Sequence, residues 1–406
     1  MDNTNPTAFS TRSIHAGESA YRRGDVQDVV TPIHLSSTFK LDEVPVDTPI
    51  ADLDPAAGEY LYARLGNPTR QTVEARLGSL TGAEHAFALS SGSAAVSSTV
   101  LATVRPGETV VAFDDLYGGS VKILDQLANE RLGIEVRYVD ARDPSNVEAA
   151  VDDDTALVLM ESPTNPLLRL CDIETIADIA HGADAAFAVD NTFATPYFQR
   201  PLELGADLVI HSTTKYLNGH SDGIGGAVVT SDDDLAEPLA FLQRVGAGNA
   251  MAPTDAYLLA RGLKTLAPRM EVHERNALGL ARYLEDHEHV RAVHYPGLPD
   301  HPQHDLATAQ MDGYGGVVSF ELAGDLDDAI RFVESLETFT LAVSLGGVES
   351  LVELPAAMTH DALDPEARRE HGLADTLVRA SVGIEDLEDL RRDLERGFAA
   401  AFGGND

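Results

Sequence analysis

The chain has 406 residues, and 66 Asp and Glu against 29 Lys and Arg leave a formal net charge of −37. No basic face is left to displace counterions from a phosphate backbone, which argues against nucleic acid as a partner, and no apolar run is long enough to span a membrane. A hydrophobic content of 44% supplies a large core, and the length suggests roughly two to three domains.

The acid is dispersed, as in Asp152-Asp153-Asp154, Asp232-Asp233-Asp234 and Asp325 to Asp328, and lysine is reduced to Lys40, Lys122, Lys215 and Lys264. Scarce lysine on a strongly anionic surface suits a protein working in concentrated salt, where self-repulsion is screened. Cys171 is the only cysteine, so no intrachain disulfide forms, and it reads as a small buried hydrophobe. The chain is expected to be soluble and cytoplasmic.

Residues 1–60 carry no periodic pattern, interrupted as they are by Pro32, Pro45, Pro49 and Pro55, and read as an extended arm that needs another surface to lie on. Order is expected from Asn67-Pro68-Thr69-Arg70, where Asn67 caps a helix and Val73, Leu77 and Leu80 repeat on one face. Apolar strands then alternate with helices. Strands are predicted at 85–89, 109–113, 135–139, 156–160, 185–189 and 208–210, with helices at 121–132 and 173–181. This is the pattern of a mostly parallel sheet covered on both faces. The polar residues of interest follow strands: Ser90-Ser91-Gly92, Asp114-Asp115-Leu116-Tyr117, Glu161-Ser162-Pro163-Thr164-Asn165, Asp190, and Ser212 to Lys215. Ligands bind beyond the strand ends in such sheets. A long helical stretch at 255–285 leads into a second region with strands near 317–321, 339–343 and 377–381 and a last helix at 384–402. The division expected is an arm (1–60), a cofactor-binding domain (61–255) and a smaller C-terminal α/β domain (256–406).

Lys215 sits in His211-Ser212-Thr213-Thr214-Lys215-Tyr216. Arginine can replace a lysine that only supplies charge, but a Schiff base needs a primary amine that can lose its proton. Hydroxyls before the lysine suit a phosphate, and Asp190 at a strand end suits a pyridine nitrogen. Together they read as a site for pyridoxal phosphate (PLP).

With these motifs in view, the chain resembles the Cys/Met-metabolism family of PLP enzymes, which includes cystathionine γ-synthase and cystathionine γ-lyase. The resemblance rests on Tyr62-Ala63-Arg64-Leu65-Gly66-Asn67-Pro68-Thr69, Ser90-Ser91-Gly92, Tyr117-Gly118-Gly119, Glu161-Ser162-Pro163-Thr164-Asn165-Pro166 and Val189-Asp190-Asn191-Thr192. It continues through Ser212 to Tyr216, Pro296-Gly297-Leu298-Pro299, Ser344-Leu345-Gly346-Gly347-Val348-Glu349-Ser350 and Arg379 to Asp386. It implies the fold-type I architecture, with a large, mostly parallel seven-stranded sheet, and a homotetramer of two tight dimers whose arms wrap neighbouring subunits. Lys215 is then the cofactor lysine and proton shuttle. Ser212, Thr214, Gly92 and Ser93 hold the phosphate, and Asp190 pairs with the ring nitrogen. Tyr117 stacks on the ring and takes part in proton transfer. Asn165 bonds the phenolic oxygen, Tyr62 and Arg64 reach the partner's cofactor, and Arg379, Ser344, Glu349 and Asn165 bind substrate. Two departures stand out: Ser93 replaces a common methionine, and Leu65 a small hydroxyl residue.

The resemblance implies that Glu349 lies near the distal end of the substrate, as in γ-synthases and γ-lyases, which leans the reading toward the γ carbon: cystathionine formed from acylated homoserine and cysteine, or cleaved to cysteine, 2-oxobutyrate and ammonia. The alternatives within the family are O-acylhomoserine sulfhydrylase and cystathionine β-lyase. Ser212-x-x-Lys215 also fits a serine hydrolase pattern, but the companion motifs of that class are missing. His287, His289, His301 and His304 lack the spacing of a metal site, and Gly246-Ala247-Gly248 lacks the third glycine of a dinucleotide fingerprint.

Overall fold

The computed structural model describes residues 8–18, 28–41, 58–359, 368 and 372–403. Helix Pro68–Thr81 starts where the sequence places it. The Asn67 side chain accepts from the backbone N–H of Thr69 (2.9 Å) and Arg70 (3.2 Å), while Val73, Leu77 and Leu80 are completely buried.

Seven strands follow: β1 (His85–Leu89), β2 (Thr109–Phe113), β3 (Glu135–Val139), β4 (Thr155–Glu161), β5 (Ala186–Asp190), β6 (Leu208–His211) and β7 (Gly226–Thr230). They form one sheet in the order β1-β7-β6-β5-β4-β2-β3. The pairs from β6 across to β3 are parallel, whereas β7 runs antiparallel to β1 and to β6. Strand β7 was not anticipated, and it opens on Gly226. The glycine is a packing requirement: a Cβ at Gly226 would lie 2.0 Å from the Ser91 carbonyl oxygen.

A second sheet contains β8 (Val290–His294), β9 (Val317–Leu322), β10 (Thr340–Leu341), β11 (Leu351–Glu353) and β12 (Leu377–Ser381), in the order β10-β11-β12-β9-β8. It is antiparallel apart from the β10–β11 pair. Strands β8 and β11 are additions to the sequence reading, and β10 is shorter than the strand expected at 339–343. One large apolar core runs through both sheets, beside a small separate cluster of Leu167, Leu373 and Leu377.

Three helices differ from expectation. The stretch at 255–285 is two helices, Pro253–Leu263 and Leu266–Glu285. Pro268 explains the break, since it offers no N–H to the Lys264 carbonyl four residues back and its ring crowds that oxygen. The run at 121–132 is helical throughout but widens into a π-helix over Ile123–Asn129. The last helix is Leu387–Phe402, with Asp386 capping the Glu388 N–H at 2.9 Å.

The arm is more ordered than its prolines suggest. Helix Phe9–His15 packs against the body through Arg76, which is completely buried. The Arg76 guanidinium donates to the carbonyls of Ala16 (3.0 Å), Ile14 (3.2 Å) and Ala260 (2.6 Å) and to the Glu18 carboxylate (2.9 Å). Glu18 also takes Lys264 at 2.7 Å and both the N–H and hydroxyl of Thr31 at 3.0 Å. Pro45, Pro49 and Pro55 lie outside the described residues. Among the described residues no helix is long and apolar enough to cross a membrane, and no group of His, Cys, Asp or Glu is arranged to hold a metal.

Candidate active site

The carboxyl ends of β4, β5 and β6 and the turns after β1 and β2 meet the second sheet around a cavity of about 300 Å³. Ser91, Gly92 and Ser93 line it from the start of helix Gly92–Thr103, Tyr117 from the turn after β2, and Asp190 from the end of β5. Ser212, Thr214 and Lys215 enter after β6, and Asn165, Ser344 and Arg379 complete the wall. A Cβ at Gly92 would sit 2.9 Å from the Ser212 side chain, so glycine is what lets this hydroxyl lie against the helix N-terminus.

Lys215 Nζ donates to Ser344 Oγ at 2.6 Å. Burial lowers its pKa to about 8, the Arg379 charge acts in the same direction, and Glu353 opposes them. An amine poised there loses its proton far more readily than a surface lysine. Ser344 has a left-handed backbone, with φ of 96°.

Asp190 Oδ1 accepts from the Thr192 N–H (3.0 Å) and hydroxyl (2.5 Å). Burial pushes its pKa upward against those bonds. Glu161 lies beside it in the β4–β5 register and is pushed well up by its own burial and then by the Asp190 charge. The Asp190 charge thus raises the proton affinity of its buried neighbour, a tension that a cationic ring nitrogen would relieve.

Arg379 is almost fully buried at 3% exposure. Nη1 donates to Asn165 Oδ1 at 2.7 Å and pairs with Glu353 at 2.9 Å, and Nη2 donates to the Ser344 carbonyl at 2.6 Å. Tyr117 is half exposed at the cavity mouth, with its N–H donating to Glu161 at 2.7 Å.

Three of the predicted residues stand apart from this cavity. Glu349 lines an adjoining, more open cavity of about 920 Å³ that shares Thr214, Ile224, Val343 and Ser344 with the first. Tyr62 and Arg64 are exposed, with the guanidinium 5.6 Å from the Tyr62 ring centre and donating to the Arg244 carbonyl.

Glu161 and Glu353 are site residues that the sequence reading left without a role. The Glu161 carboxylate holds both the Tyr117 N–H and the Asn165 N–H (3.1 Å), tying together two loops of the site. A carboxylate ending an otherwise apolar strand was the available signal for each.

PLP fits this set of groups. Lys215 offers the amine, Asp190 the carboxylate for the ring nitrogen, and the serine and threonine hydroxyls with the helix N-terminus a phosphate cradle.

Residues 10–399 match the model of the Cys/Met metabolism PLP-dependent enzyme family. The chain is 43% identical over 402 residues to a cystathionine gamma-lyase of Dictyostelium discoideum, covering 98% of this chain and 99% of that protein. It is 45% identical over 396 residues to a cystathionine beta-lyase of Coxiella burnetii, covering 97% and 98%. A solved cystathionine gamma-lyase from Lactobacillus plantarum, complexed with L-serine, is 42% identical and superposes with a TM-score of 0.90 over 97% of this chain and 99% of that one. The protein belongs to the Cys/Met metabolism family of PLP-dependent enzymes, which makes PLP its cofactor.

Proposed function

We propose that this enzyme acts at the γ carbon of sulfur amino acids, in the manner of a cystathionine γ-lyase or γ-synthase. The observation that carries the reading is the line from Arg379 and Lys215 in the inner cavity, past Ser344, to Glu349 in the adjoining one. An amino acid held by its α-carboxylate at Arg379 presents its α proton toward Lys215 and extends its distal end toward Glu349.

When bound, PLP supplies an electron sink for the substrate's α carbon. The protein's residues do the rest. Arg379 binds and orients the carboxylate through its fork. The Lys215 amine, once free, takes the α proton and carries protons between carbons, a task suited to its lowered pKa. Asp190 keeps a proton on the ring nitrogen, while Ser91, Gly92, Ser93, Ser212 and Thr214 hold the phosphate. Tyr117 covers the cavity mouth. Expulsion of the γ substituent then gives 2-oxobutyrate and ammonia after hydrolysis, or a replacement product when a thiol adds.

The same proposal extends to the assembly. Tyr62 and Arg64 face outward, as residues serving a neighbour's cofactor must, in a homotetramer built from two dimers. Residues 61–255 form the cofactor-binding domain and 256–406 the C-terminal domain, and the protein works in the cytoplasm.

The deciding experiment is product analysis with cystathionine, and with acylated homoserine plus cysteine. Release of 2-oxobutyrate, or formation of cystathionine, is expected. Predominant pyruvate would move the protein to the β-lyase reading carried by the Coxiella relative's name.

A further inference from the structure

Arg379 does not face the cavity alone. Its cross-strand partner in β11 is Glu353, which is completely buried and contacts Nη1 through Oε1. The same oxygen accepts the Thr359 hydroxyl at 3.0 Å, and Thr359, unlike Glu353, lines the cavity. Asn165 also takes Nη1, so two acceptors secure one nitrogen of the guanidinium. Nε has no partner, and Nη2 gives one bond to the Ser344 carbonyl. The fork is thereby pinned on one side, leaving Nε–H and the second N–H of Nη2 for an incoming carboxylate.

Charge makes the same residue necessary. Without Glu353, a buried arginine would share a poorly solvated cavity with Lys215, and the two would repel. Among the described residues, the other titratable groups that line the cavity with Lys215 and Arg379 are Asp190 from β5, Glu161 from β4 and Tyr117 from the turn after β2. Arg379 from β12 drives a proton off Lys215, and Glu353 from β11 holds it on.

We infer that Glu353 is a positioning residue with two effects: it fixes the Arg379 fork for the substrate carboxylate, and it offsets the Arg379 charge so that the Lys215 nitrogen keeps its proton affinity. The first effect rests on the proposed role of Arg379. The second does not depend on it.

The test uses the holoenzyme of Glu353→Gln, Glu353→Ala and Arg379→Leu. Gln keeps an oxygen for the fork and removes the charge. The pH midpoint of the bound cofactor's absorbance, which follows protonation of the Lys215 nitrogen joined to it, should fall by at least about half a pH unit while KM stays within about threefold. Ala removes the contact, and KM for cystathionine should rise roughly tenfold with kcat changed less than about threefold. Should Ala fail to fold, Glu353→Asp replaces it. Drawn back from the fork, Asp should raise KM yet keep a midpoint near that of the wild type. An unmoved midpoint in Glu353→Gln, or an unmoved KM in the Ala or Asp variant, overturns the inference. An unmoved KM in Arg379→Leu would instead overturn the assignment of Arg379 to the carboxylate.

Discussion

At the scale of single residues, the site was legible wherever chemistry restricts the choice of side chain. Lys215, Asp190 and Arg379 are each proposed for a task that a similar residue does poorly, and the structure brings all three to one cavity. Glu161 and Glu353 were harder to see, because their work is to hold other groups. That work is defined by contacts across strands, such as the Glu353–Arg379 pair, and not by local pattern. Asp190 gives the sharpest test at this scale. Asp190→Asn keeps the volume and an oxygen for Thr192 but removes the charge proposed to face the ring nitrogen. Turnover should fall at least about 100-fold, roughly 2.7 kcal/mol in the barrier, while the protein still folds and retains cofactor. Steady-state kinetics on cofactor-loaded protein giving a kcat within tenfold of the wild type would remove Asp190 from the mechanism.

At the scale of elements, the capped first helix of the body and strands β1 to β6 were readable, whereas β7, β8, β11 and remote clasps were not. Strands β7 and β11 are five and three residues long, and their pairing depends on distant partners. The arm's order was hidden because Glu18 meets Arg76, 58 positions away. This clasp also gives Lys264 its purpose, whereas Lys40 and Lys122 are simply exposed. Burial raises the Glu18 pKa, but the bonds from Lys264 and Arg76 outweigh it and leave the group below its ordinary value. A depressed carboxylate stabilises the fold above its unfolded pKa, and that contribution is lost as pH falls through the folded value. The arm should therefore stay docked at neutral pH and release only in acid, below the ordinary carboxylate range. Glu18→Gln should release it already at neutral pH. Limited proteolysis within residues 8–18 measures this, and equal cleavage of wild type and variant at pH 7 would contradict the clasp.

At the scale of the whole molecule, two expectations concern assembly and charge. If Tyr62 and Arg64 serve a neighbour, then Arg64→Ala and Lys215→Ala subunits, each inactive alone, should regain activity when mixed. In such a dimer one site receives both intact contributions. Proven subunit exchange without recovered activity would assign each site to a single chain. The charge of −37 predicts that the melting temperature keeps rising with salt beyond about 1 M, where the Debye length is already near 3 Å and simple screening is spent. Melting curves that coincide in dilute and in concentrated salt would remove the link to a saline setting.

The left-handed backbone of Ser344 has a consequence for how this protein can change over time. A serine at φ of 96° is held there at a cost of about 1–3 kcal/mol, and glycine would adopt the same conformation freely. Yet the hydroxyl meets Lys215 and the carbonyl meets Arg379, so the strained residue links the amine to the guanidinium proposed to hold the carboxylate. Selection for heat resistance alone would drift toward glycine at this codon, and selection for turnover would restore serine. The two pressures are opposed at one position, which makes it a place where hardier descendants of this enzyme would also be slower ones.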